Sequence, residues 1–192
     1  MNKQLRQIAS VHAGYPFRER LHSEAEGNVL VIQMKNLDEA NRIQEDGITR
    51  VQLGVSIARH IVKSGDIIFR ARGNRTSASL VTRDLGQTIV AAPLMIIRVA
   101  VKDVLPAYLQ WVINNPSTQA KLADLGTGTY VQTVGKGALE ALELPVPDLD
   151  RQHKIVELAA LMEQERRVWR EICERRKRLV DGILLRRAQD TR

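Results

Sequence analysis

Leu144-Pro145-Val146-Pro147-Asp148-Leu149-Asp150-Arg151 decides how this chain is organised. Two prolines one residue apart hold the backbone extended, because the residue before a proline avoids the helical region. Asp148 or Asp150 then offers a carboxylate that can cap a helix N-terminus. From Arg151 to Arg187 there is no proline, and the one glycine is Gly182. Apolar residues recur at helical spacing as Ile155, Leu158, Met162, Trp169, Ile172, Leu179 and Ile183, with Glu165 and Arg176 filling the gaps. This is a heptad-like stripe of the kind two helices bury between them. Polar residues in such a seam weaken it but fix register and partner number. The helix is expected to run roughly 50 Å at about 1.5 Å per residue. It needs a partner helix, since an isolated helix is marginal in water. It can fold back on its own domain or form a coiled coil with another copy. The coiled coil is the expectation, which makes the stripe residues the dimerisation set. Residues 1–147 are then a globular domain and 148–192 a spacer and dimerisation helix.

Composition narrows the class of partner. Hydrophobic residues make up 44% of the chain, enough for a core, and the net charge of +7 favours a polyanion. The arm carries much of that excess, with eleven Lys/Arg against six Asp/Glu between Arg151 and Arg187. Arg175-Arg176-Lys177-Arg178 reads either as part of a polyanion surface or as a solvated helix face. The single cysteine, Cys173, has no internal disulfide partner, which fits a reducing compartment. With no signal peptide and no apolar run of membrane length, a cytoplasmic protein without a membrane partner is expected.

Before the arm, the pattern is mixed. Leu5 to Ala9 reads as a short helix turn or strand, and the loop after it contains Gly14-Tyr15-Pro16-Phe17-Arg18, whose aromatic rings can anchor it to a core. Val29–Ile32, Ile67–Arg70, Ala78–Val81, Thr88–Ala91 and Leu94–Val101 are β-branched runs separated by turn residues, as short strands are. Residues 103–114 switch to helical spacing, and Pro116 opens a second helix through Leu125. The run to Gly137 reads as loop, and Leu139 to Val146 leads into the arm. The expected class is α+β: a small domain with a mixed or antiparallel sheet, then one long C-terminal helix.

The segment after the Ile67–Arg70 strand presents Arg70, Arg72, Gly73, Asn74, Arg75, Thr76 and Ser77. Arginine can chelate a guanine edge or a phosphate, and asparagine an adenine edge. The same residues also describe an exposed basic hairpin with no ligand. No catalytic signature stands out. Gly126-Thr127-Gly128 and Gly135-Lys136-Gly137 lack the spacing of either phosphate-binding glycine motif. His12, His22, His60 and His153 are scattered, without cysteine or carboxylate at metal-ligand spacing. A non-enzymatic protein without cofactor or metal is expected.

Taken in order, the landmarks resemble the DNA-specificity (S) subunits of type I restriction–modification systems. The matching pieces are Gly14-Tyr15-Pro16-Phe17-Arg18, then Ser64-Gly65-Asp66-Ile67-Ile68-Phe69 before Arg72-Gly73. Pro106-Ala107-Tyr108-Leu109, Asn115-Pro116 and Gly126-Thr127-Gly128-Thr129-Tyr130-Val131-Gln132 follow. The last runs from Leu144-Pro145-Val146-Pro147 to Ile155. One departure is Pro147-Asp148, where the family usually has two prolines; this is expected to loosen the turn ahead of the arm.

The resemblance implies a target recognition domain followed by a spacer helix, in a non-catalytic subunit that binds methyltransferase subunits. Family members usually carry two such units, each reading half of a split site, with their helices antiparallel. This sequence carries one, so pairing of two chains through their arms is expected. Expected partners are double-stranded DNA, adenine methyltransferase (modification) subunits, a restriction subunit in some assemblies, and a second copy of the chain. The setting implied is phage defence. The expected DNA contacts are Arg70, Arg72, Asn74 and Arg75, with Thr127, Thr129 and Lys136 secondary. Two other readings stay open. One is an adaptor or regulator derived from such a subunit, which binds methyltransferase subunits without reading sequence. The other is a half that pairs with a second half from a separate reading frame.

Overall fold

The computed structural model describes residues 1–54, 57–73, 75–127 and 132–189, apart from the side chain of Arg59. Its backbone divides into two compact units, Met1–His153 and Lys154–Arg192.

The first unit is α+β. Its elements are β1 (Asn2–Gln4), α1 (Leu5–Ile8), β2 (Ala9–Ala13), β3 (Val29–Ile32), β4 (Thr49–Val51), β5 (Ile67–Arg70) and β6 (Ser77–Leu80). Then come β7 (Thr88–Val90), β8 (Leu94–Val99), α2 (Pro106–Asn114), α3 (Pro116–Leu125), α4 (Lys136–Glu140) and β9 (Glu143–Pro145). The β-branched runs become strands because each can bury at least one face. β2-β8-β5-β6 form an antiparallel sheet with Val11 opposite Ile97, Phe69 opposite Met95 and Phe69 opposite Ala78. The sheet β4-β3-β7 is mixed: Val29 faces Val51 antiparallel, and Val31 lies beside Ile89 in parallel. A third pair, β1 with β9, joins the two ends of the unit and sets Lys3 opposite Leu144.

Alternation along β3 explains the layering. Val29 and Val31 point into one apolar cluster with Val51 and Ile89, and Ile32 points into another. That is the two-residue period of a pleated strand. In the second cluster Ile32 and Val90 meet Ile68, Leu94 and Ile96 of the larger sheet. The mixed sheet is therefore apolar on both faces. The turn before β5 depends on Gly65, at φ +88°, a conformation glycine adopts readily. Beside it the buried Asp66 accepts from the Lys63 amide at 2.7 Å and takes a two-pronged contact from Arg98 at 2.7 and 2.6 Å.

Edge strand β6 is covered by a side chain. Asn114, at the end of α2, accepts from the Ala78 amide at 2.9 Å and donates to its carbonyl at 2.7 Å. An open edge would otherwise offer those groups to another chain. Pro106 and Pro116 begin α2 and α3, where a missing amide proton costs nothing. Asn115 caps α3 through the Ser117 amide at 3.1 Å.

The long helix α5 spans Leu149–Gln189, 41 residues. Asp148 is its cap, accepting from the Arg151 amide at 2.9 Å. Gln152, fully buried, ties its first turn to the domain. The amide oxygen of Gln152 accepts from the Leu105 amide at 2.9 Å, and its nitrogen donates to the carbonyls of Asp103 and Pro147, each at 2.8 Å. Tyr108 donates its hydroxyl to the Pro145 carbonyl at 2.7 Å. Burial pushes the Tyr108 phenol up from its ordinary value, so it stays a donor.

Along the second unit the apolar stripe is open to solvent. Leu158 and Trp169 are each 59% exposed and Leu179 65%; Met162, Ile172 and Ile183 are exposed as well, and Ile155 is half-buried. Among the described residues no helix is long and apolar enough to cross a membrane.

Candidate nucleic-acid interface

The basic segment after β5 does not stand alone. Its backbone pairs with a remote segment: the Val134 amide donates to the Ala71 carbonyl at 2.9 Å and the Gly73 amide to the Gln132 carbonyl at 3.3 Å. Arg72 is bridged to Thr133 and Thr133 to Thr127. Thr127 and Thr133 exchange amide-to-carbonyl bonds at 3.1 and 3.0 Å. Two stretches about sixty residues apart in the chain thus meet at one rim. They hold Arg72, Arg75 and Thr127, expected sites whose side chains are exposed.

The three arginines have different duties. Arg72 is exposed and, among the described residues, its side chain makes no hydrogen bond or ion pair. Arg70 is half-buried, and its Nη2 donates to the Met34 carbonyl at 3.1 Å and the Leu37 carbonyl at 2.5 Å. Its Nε is buried without a partner. Arg70 therefore pins the 34–37 turn against β5. Arg75 is exposed but donates to the Glu39 carbonyl at 2.8 Å. Lys136, at the start of α4, is exposed and 3.6 Å from Glu140, one turn along. Asn74 and Thr129 lie outside the described residues.

These contacts add a third stretch, residues 34–42, to the rim. The Met34 side chain approaches Gly73, and the exposed Lys35 next to it in the chain sets its Nζ 3.4 Å from the Thr49 hydroxyl of β4. Asp38 orders this loop. It accepts from the Arg42 amide at 2.8 Å, the Arg42 Nε at 2.9 Å and the Gln44 amide nitrogen at 2.7 Å. Burial works to raise the Asp38 carboxyl, but those donors together outweigh it and hold it below the usual carboxylate range. Thr76 donates to Gln119 of α3 at 2.9 Å. Sequence reading passed over Lys35 and Gln119, and it quoted Gln132 only as part of a landmark. Nothing local in residues 34–42 ties them to Arg70.

The rim offers guanidinium, hydroxyl and amide groups on loops, suited to phosphate oxygens and base edges. Among the described residues no group of three or more His, Cys, Asp or Glu is placed to hold a metal ion.

No protein-family model and no curated protein sequence matches this chain. Solved structures do. The HsdS subunit from Thermoanaerobacter tengcongensis aligns with a TM-score of 0.64 at 21% identity, over 88% of this chain and 43% of that one. The S subunit of a type I restriction–modification system from M. genitalium aligns at 0.59 and 11% identity, over 85% and 39%. A chain from work on complex assembly and conformational transition of the type I restriction–modification system aligns at 0.63 and 14%, over 86% and 38%. This chain spans less than half the length of each of these relatives. Over most of its length it has the fold of a type I restriction–modification S subunit.

Proposed function

We infer that this chain is a DNA-specificity component of a type I restriction–modification methyltransferase, reading one half-site with the Met1–His153 unit and joining a second unit through α5. It performs no catalysis itself; adenine methyltransferase subunits supply the chemistry, and a restriction subunit joins where cleavage occurs. The observation that most supports the reading is that, in a fold shared with S subunits, exposed Arg72 and Thr127 come from two separated stretches bridged through Thr133, with the 34–42 stretch held to the first by Arg70 and Arg75. Phosphate contacts there would give affinity and register, and base-edge contacts would give sequence choice.

The exposed stripe of α5 supports the second half of the reading. Monomeric proteins rarely leave long apolar stripes in water, and a second copy of the same helix covers them with two-fold symmetry. The result is a homodimer presenting two identical domains to a symmetric split site.

A second reading has an observation of its own. Arg70 and Arg75 donate to backbone carbonyls, which leaves fewer cations for DNA than the sequence advertises. That favours an adaptor that engages methyltransferase subunits without reading sequence. Affinity capture of the full chain from its own cells, followed by mass spectrometry, is expected to recover an adenine methyltransferase. The captured complex is expected to methylate a split symmetric site in duplex DNA. Methyltransferase recovery with salt-dependent but sequence-blind DNA binding would favour the adaptor. No methyltransferase would reject both.

A further inference from the structure

The two charges in the apolar stripe of α5 have mirror-image surroundings. One helical turn to either side of Glu165 stand Leu161, Met162, Val168 and Trp169. Around Arg176 stand Ile172, Cys173, Leu179 and Val180. Each charge is thus the lone ionic group in an apolar ring on its own helix. Neither finds a partner there: Glu163 takes both Arg166 and Arg170, at 3.8 and 2.7 Å, and among the described residues Glu165 and Arg176 form no ion pair.

We propose that α5 pairs with α5 of a second copy of this chain in one antiparallel register, centred between Arg170 and Glu171, in which Glu165 of each copy meets Arg176 of the other. This rests on the self-pairing reading and adds to it the register. With that centre the seam positions from Leu158 to Ile183 all find fitting partners, and Ile155 meets Arg186 at the two ends of the seam. Trp169 faces Ile172, Met162 faces Leu179 and Leu158 faces Ile183, each contact occurring twice by symmetry. A shift of one heptad in one direction sets Glu165 against Trp169 and Arg176 against Leu158. A shift in the other sets Glu165 against Ile183 and Arg176 against Ile172. A parallel in-register pair sets Glu165 on Glu165 and Arg176 on Arg176. Each of these alternatives strands charges in an apolar seam or opposes like charges, so the ionic layers select one register, as polar seam residues do in coiled coils. The occupant is therefore a second copy, on charge complementarity, rather than an unrelated amphipathic helix.

The register is tested on the full chain by sedimentation equilibrium and by a distance measurement. Glu165→Arg and Arg176→Glu are each expected to weaken dimerisation more than about tenfold, since each sets like charges together in both layers. The double variant is expected to recover most of the loss. All of these positions are solvent-exposed in the single chain, and circular dichroism checks that the helix persists. A spin label at Ala160→Cys in a Cys173→Ser background reads the register independently. Its two copies are expected about 32 Å apart along the axis, against about 21 or 42 Å for the neighbouring registers, at about 1.5 Å per residue. A wild-type chain that stays monomeric at tens of micromolar overturns the self-pairing reading and the register together. A wild-type dimer whose single variants bind normally, whose double variant is not rescued, or whose labels sit at another spacing overturns the register alone.

Discussion

Arg70 and Arg72 lie two positions apart, and their side chains end in different places. Arg70 gives its Nη2 to two carbonyls of the 34–37 turn, so truncating it strands both acceptors in a half-buried setting. Arg70→Ala is expected to cost about 1–3 kcal/mol of folding stability, read as a lower urea midpoint. Arg72 is exposed and its side chain makes no hydrogen bond or ion pair among the described residues. Arg72→Ala is expected to leave the midpoint within about 0.5 kcal/mol of wild type and to weaken binding to a cognate duplex by about tenfold. A stable Arg70→Ala paired with an unfolded Arg72→Ala would reverse these assignments. Residue types alone made the Arg70–Ser77 stretch a candidate. They could not assign its members, because what separates Arg70 from Arg72 is a carbonyl more than thirty residues away.

At the scale of elements, the start of α5 is set by Gln152 more than by the prolines that announce it. Its side chain satisfies one amide and two carbonyls at the ends of other segments, and it is the one buried residue of the whole helix. Gln152→Leu keeps the volume and removes all of these bonds, so a loss of at least about 2 kcal/mol is expected in chemical denaturation. An unchanged midpoint would mean that Tyr108 and the Asp148 cap hold the helix start by themselves. The strands that carried β-branched runs, and the helices that carried long periodic patterns, were legible in the chain. Residues 103–114 were read as helical, and the helix runs Pro106–Asn114. Three of the short elements were not. β4 and β9 span three residues each and α4 five, too short for a period to register. β9 exists because Leu144 lies opposite Lys3, a pairing that joins the two ends of the domain and leaves no local trace. The bridge from Arg72 to Thr133 was invisible for the same reason, although both of its loops had drawn attention separately.

For the whole molecule, the question is whether one reading surface acts or two. Salt answers it. Each phosphate contact displaces condensed counterions, and log K against log salt falls with a slope of about −0.9 per contact. In a chain that binds DNA as a single unit, Arg72→Ala deletes one contact, and the slope should flatten by about 0.9. In a two-fold dimer the same substitution acts at both rims, and the slope should flatten by about 1.8. If Arg72 reads a base edge instead, the slope stays near wild type and base preference relaxes at two symmetry-related positions of the site. Titrations of wild type and Arg72→Ala across a range of salt, on duplexes carrying one half-site or both, separate these cases. Because the seam and the rim belong to different units of the chain, combining Arg72→Ala with Glu165→Arg provides an internal check. The seam variant should reduce the flattening caused by Arg72→Ala from the two-rim value to the one-rim value, whatever the DNA sequence. A flattening of about 0.9 in both backgrounds would mean that each chain binds on its own, and the symmetric split site would have to be given up even if the arms pair in solution.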